Sequence, residues 1–112
     1  MWSGCYDGGL ERYDLRTGHA RDVRVWPEAG YGWTPADMKY RWYWNFPLEL
    51  SPHKKHRVYV GSQFVHKSDD DGQSWQIISP DLTRNEKSHQ QDSGGIAVDN
   101  LMTWDGAVLI SI

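Results

Sequence analysis

Apolar and polar residues alternate along this chain in short runs separated by glycine, proline and aspartate, and no stretch sustains a helical period. Such punctuation predicts strands and tight turns. Leu10 to Leu15, the turn Arg16-Thr17-Gly18 and the run His19 to Trp26 predict a hairpin, with Val23 and Val25 on one face and Arg24 and Trp26 on the other. Glu28 to Ala36 is a Gly/Pro-rich connection. Lys39 to Leu50 is aromatic and then aliphatic, and its second half predicts a strand ended by Ser51-Pro52. Arg57–Ser62, Phe64–Ser68 and, past a turn through Asp69, Asp70, Asp71 and Gly72, Trp75–Ser79 predict three more strands, so that four strands form a meander. Pro80 to Asn100 has neither period and predicts a long loop, with room for a helical turn after Asp81-Leu82-Thr83. Ala107 to Ile112 predicts a last apolar strand.

The fold class is therefore all-β. An offset of 54 residues places Leu10 on Phe64, Gly18 on Gly72, Ala20 on Ser74 and Val23 on Ile77, a loose internal repeat. Four antiparallel strands recurring at a spacing of this order are the pattern of a β-propeller blade.

Composition narrows the functional classes. The chain has 112 residues, the usual size of one domain, and 12 Lys+Arg against 15 Asp+Glu give a net charge of −3. It lacks the basic footprint that nucleic-acid binding requires, so nucleic acid is not an expected partner. No run of residues approaches the roughly 20 apolar positions of a membrane-spanning helix. Seven Trp and six Tyr speak for a packed structure rather than a disordered one. The single Cys5 allows neither a disulfide framework nor a cysteine zinc site, and Met1 to Tyr6 has neither the basic nor the apolar region of a signal peptide.

Several side chains carry candidate chemistry. In an extended Arg41-Trp42-Tyr43-Trp44-Asn45 the two tryptophans share a face, so the rings form a stacking platform while Arg41 and Asn45 offer hydrogen bonds to hydroxyls or a carboxylate. The competing reading packs these rings between neighbouring sheets. His66 shares a strand face with Phe64 and is either a hydrogen-bonded core histidine or a ligand contact. Glu49 interrupts an apolar strand, where burial would raise its pKa as a general acid requires; alternatively it stands on that strand's polar face. The aspartates at 69–71 do not fit a calcium-binding EF-hand loop, because Lys67 and Ile78 fall where acidic ligands belong. None of the five histidines has metal-ligand spacing, and neither a metal nor a cofactor is expected.

Ser68-Asp69-Asp70-Asp71-Gly72-Gln73-Ser74-Trp75 matches the pattern Ser-x-Asp-x-Gly-x-Ser/Thr-Trp at every fixed position. It resembles the Asp-box, or BNR repeat, of sialidase-like propellers. Its physics is local: Gly72 supplies a positive φ, the Asp70 carboxylate accepts N–H bonds within the turn, and Trp75 folds across the hairpin. The motif therefore reads as a fold-specifying turn, built on Ser68, Asp70, Gly72, Ser74 and Trp75. With Arg12 to Gly18, Lys39-Tyr40-Arg41, Trp44 to Leu48, Ser51-Pro52-His53 and Ile78 to Asn85, the chain resembles secreted bacterial proteins described as BNR-repeat glycosyl hydrolases or sortilin-like propellers.

The resemblance implies about one and a half blades of an incomplete propeller. The end of one blade spans 1–27, a connecting loop 28–38, a second blade with the Asp-box 39–80, a long loop 81–106 and the first strand of a third blade 107–112. It implies a fragment of a secreted or periplasmic parent that binds or hydrolyses carbohydrate, or else binds peptides without catalysis, through a channel face that includes Arg41, Trp44, Asn45 and His66. Glu49 departs from the apolar residue the family pattern has there. Neighbouring blades would be partners, the fragment alone would lack catalytic activity, and its uncovered strand edges would favour self-association.

Overall fold

A computed structural model describes residues 1–6, 8–28, 34–91 and 108–112. Within them the chain is all-β, forming two antiparallel sheets and two single 3-10 turns, Pro35–Asp37 and Lys87–His89. The first sheet is three-stranded, β1 (Trp2–Cys5), β2 (Gly9–Tyr13) and β3 (Ala20–Asp22), in that order. The second is a four-stranded meander, β4 (Leu48–Leu50), β5 (Val58–Gly61), β6 (Val65–Ser68) and β7 (Gln76–Ile77). Both the hairpin and the meander follow the alternation in the sequence.

Differences from expectation concern edges and connections. β1 joins the hairpin because the backbone of Met1 and Tyr13 exchange two bonds, of 3.0 and 2.8 Å, and the register then runs from Trp2 opposite Arg12 to Cys5 opposite Gly9. β3 stops at Asp22, short of the run to Trp26, where Asp22 turns its carboxylate back onto the Arg24 N–H. In the second sheet Leu48 pairs with Val60, Val60 with His66 and His66 with Ile77, which puts Leu48, Val60, His66 and Ile77 on one face. Glu49, Tyr59, Lys67 and Gln76 take the other.

Arg41 to Asn45 is not a strand, which corrects the extended reading of this segment. A turn at Trp44-Asn45 follows Trp42 and sends the two tryptophans into different surroundings: Trp42 is buried and Trp44 exposed. The segment instead fills the space between the sheets. Leu10 and Val23 from the first, Val60 from the second, and Tyr40, Trp42 and Phe46 from the connection form one buried cluster. Each fully buried side chain of this size contributes about 1.5–3 kcal/mol. The Phe46 ring rests on Gly4 of β1, and the Trp42 ring crosses it at 5.1 Å.

Of the final segment, residue 107 lies outside the described residues, as does 92–106 of the expected long loop. Residues 108–112 join neither sheet among the described residues; the Leu109 N–H donates to the Ser62 carbonyl at 3.0 Å, which ties the segment to the β5–β6 turn. No helix among the described residues is long and apolar enough to cross a membrane.

Candidate functional site

The Ser68–Trp75 turn forms from its own side chains. The Ser68 hydroxyl accepts the Gly72 N–H at 2.8 Å and donates to Asp70 Oδ1 at 2.8 Å. Asp70 also accepts the Ser74 N–H at 2.9 Å and the Ser74 hydroxyl. These bonds, Ser74 first and Ser68 after, hold the Asp70 carboxyl down at about 2. Gly72 turns the chain at φ 85°.

What the motif alone does not reveal is where the turn sits. Trp75 reaches across to the first sheet, where its indole Nε1–H donates to the Val23 carbonyl at 2.9 Å. A Cβ on Gly72 would stand 2.8 Å from Val23 Cβ and 3.2 Å from the Trp2 ring. Arg12 of β2 meets the Asp71 carboxylate at 3.4 Å, and that carboxylate also takes His56 Nδ1. The turn of one sheet is thus clamped onto the other.

The four residues read as a ligand face are dispersed. Arg41 is 7 % exposed and turns inward, its guanidinium meeting Asp81 Oδ2 at 3.1 Å and the Thr83 hydroxyl at 3.3 Å. Burial pulls the Asp81 carboxyl up, but the Thr83 and Arg41 bonds outweigh it and leave it below its ordinary value. Gln63, which no sequence pattern singles out, fixes the same segment from both sides. Its Oε1 accepts the Arg41 N–H at 2.8 Å and its Nε2 donates to the Lys39 carbonyl at 3.1 Å.

His66 is 1 % exposed and belongs to the core. Tyr40 stands edge-on to it at 4.7 Å and Trp42 stacks on it at 5.6 Å. The Ser62 hydroxyl accepts the Phe64 N–H and lies 2.8 Å from His66 Nε2, an arrangement that suits a neutral ring accepting at Nε2. Burial pushes the imidazole down to about 4.

Trp44 and Asn45 are exposed together, and Trp44 stacks on Tyr6, centroids 4.8 Å apart and planes 25° from parallel. A hollow lined by Gly4, Asn45, Phe46 and Leu48 adjoins the Trp44 ring. Tyr6 had no signal in the sequence, because it lies 38 positions before Trp44 and in no recognisable pattern. Glu49 is exposed, at the rim of an apolar hollow on the second sheet's outer side formed by Leu50, Pro52, Tyr59, Val65 and Ile78. Nothing there buries its carboxylate, which favours the polar-face reading. Among the described residues no group of three His, Cys, Asp or Glu side chains is arranged to hold a metal ion.

Chemically, the arrangement offers an exposed aromatic step beside an amide, an apolar hollow and a core histidine without access to solvent. No known protein family, no curated protein and no solved structure matches this chain.

Proposed function

We propose that this chain is a carbohydrate-binding segment of an Asp-box propeller of the sialidase-like kind, from a secreted or periplasmic parent. The observation that carries binding is the exposed Tyr6–Trp44 stack with Asn45 beside it. A sugar ring presents an apolar C–H face and a rim of hydroxyls, and a fixed aromatic plane next to an amide complements both. The clamp of the Asp-box turn on the preceding sheet supports the propeller reading, since blades stabilise one another by packing face to face.

No catalytic role is assigned to this chain. Glycoside hydrolysis uses two carboxylates facing each other across the bond, and among the described residues no other side chain lining the hollow beside Glu49 is acidic. That apolar hollow favours a second reading, a sortilin-like propeller that binds an apolar peptide segment without catalysis.

The test is a titration of the isotope-labelled chain with neutral mono- and oligosaccharides, followed through its tryptophan indole N–H resonances. Carbohydrate binding predicts a shift of the Trp44 resonance with affinity on the order of millimolar, lost in Trp44→Ala. Absence of any shift with sugars, together with perturbation of Val65 and Ile78 methyls by an apolar peptide, would replace it with the second reading.

A further inference from the structure

A second recess lies where the end of the first sheet meets the Asp-box hairpin, away from the Tyr6–Trp44 step. It encloses about 360 Å³. Three aromatic rings line it, Trp26 and Tyr40 on the connection side and Trp75 on the hairpin side, together with the polar Gln73 and Ser74, and the buried His66 closes it. Among the described residues two cations, Arg24 and Lys39, line it, and no lining side chain is acidic.

The two cations are held differently. Arg24 is bound through Nε and one Nη to the Asp22 carboxylate, which keeps the guanidinium in place at the rim and partly neutralises it. The Lys39 ammonium sits 3.5 Å from the centre of the Trp26 ring. Glu28, the acid nearest in the hydrogen-bond pattern, accepts the backbone N–H of Lys39 at 3.3 Å and not its ammonium. No carboxylate among the described residues pairs with that ammonium. A cation–π contact positions an ammonium without cancelling its charge. Two cations lining one recess, with the rings of Trp26, Tyr40 and Trp75 around them, give it a positive potential.

We infer that this recess binds a carboxylate carried on a six-membered ring, the anion held by Lys39 and the remaining donors of Arg24 and the ring by the aromatic walls. Charge-assisted bonds to the carboxylate supply orientation, and the indole and phenol faces supply contact area for a flat or chair-shaped ring. The volume is ample for one such ring with its substituent. Acidic saccharides and aromatic acids both offer this chemistry. The inference stands apart from the carbohydrate reading, since it uses none of the residues of the Tyr6–Trp44 step.

The experiment uses the full 112-residue chain, isotope-labelled, with the Trp26 and Trp75 indole N–H resonances assigned through Trp26→Phe and Trp75→Phe. Glucuronate and benzoate are each titrated against their uncharged counterparts, glucose and benzyl alcohol. The expected result is a saturable shift of the Trp26 and Trp75 resonances with at least one anion and with neither neutral compound. Lys39→Met, which keeps the apolar stem, should weaken binding about tenfold or more, with the amide resonances of the second sheet unchanged as the check on folding. A response to glucuronate alone identifies an acidic saccharide; a response to benzoate identifies an aromatic acid. Equal shifts with the neutral compounds, unchanged binding by Lys39→Met, or no shift of these two resonances at about 20 mM of either anion would overturn the inference.

Discussion

Two turns of this molecule, Asp14–Gly18 in the first sheet and Ser68–Gly72 in the second, occupy matching places in their hairpins yet do different work. Both end on a glycine in the left-handed region, at φ 72° for Gly18 and 85° for Gly72. Each glycine donates its N–H to the first residue of its turn, Gly18 to the Asp14 carbonyl and Gly72 to the Ser68 hydroxyl, both at 2.8 Å. The surroundings then diverge. The Asp14 carboxylate accepts the Arg16 N–H, whereas Asp70 is bonded by Ser68 and twice by Ser74. Among the described residues only the Tyr13 hydroxyl comes near Gly18, 3.6 Å from where a Cβ would stand; around Gly72 the neighbouring sheet is already in contact. Where the second hairpin has Trp75, the first has Arg21 at the equivalent offset. A bare turn is enough to reverse a chain. The side-chain bonds within Ser68–Trp75 hold a turn that also docks on the first sheet.

The largest difference between the turns should appear on replacing the glycines. Gly18→Ala meets only the left-handed backbone penalty and should cost about 1–2 kcal/mol. Gly72→Ala adds a clash with Val23, and overpacking of this kind brings the total to about 2–4 kcal/mol. Urea unfolding of the two variants checks this, and equal losses would mean that the second turn carries no load from the first sheet.

Acid should separate the core from the turn. His66 has a folded pKa of about 4 against an ordinary 6.5, so the unfolded chain binds more protons between those values. Its contribution is therefore intact above pH 6.5 and lost as pH falls toward 4, by about 3 kcal/mol at most. Asp70 acts in a lower window. Its carboxyl is held at about 2 against 3.8, so its stabilisation is present above 3.8 and disappears as pH falls toward 2. Stability measured against pH should show the upper phase in the parent and not in His66→Phe; its persistence in that variant would assign the phase to another group.

The sequence made legible those parts that depend on near neighbours. Alternation from Leu10 to Val23 and from Leu48 to Ile77 marked the hairpin and the meander, and Ser68 to Trp75 marked its own turn. β1 escaped notice because Ser3-Gly4-Cys5 has no apolar alternation, and its Gly4 matters through the Phe46 ring that rests on it. Where the four expected ligand-face residues lie was hidden for a similar reason. Whether Arg41 faces a ligand or the core is decided by Asp81 and Thr83, 40 and 42 residues away, and Trp44 finds its partner in Tyr6. Side-chain pairs at such separation leave no periodic trace. Of the four residues, Trp44 and Asn45 remain together at the surface, while His66 and Arg41 serve the interior.

The most direct test of the clamp is amide hydrogen exchange in Trp75→Phe, which leaves every bond inside the Asp-box turn in place and removes the indole N–H from the Val23 carbonyl. Losing one such bond at a partly buried carbonyl costs about 1 kcal/mol, or about fivefold in protection. If the turn couples the sheets, that loss appears in the first sheet as well, at the Val23 amide bonded to the Leu10 carbonyl and along β2 and β3. Unchanged protection in the first sheet, with faster exchange confined to the Ser68–Trp75 turn, would contradict the clamp and leave the Asp-box a turn that serves only its own hairpin.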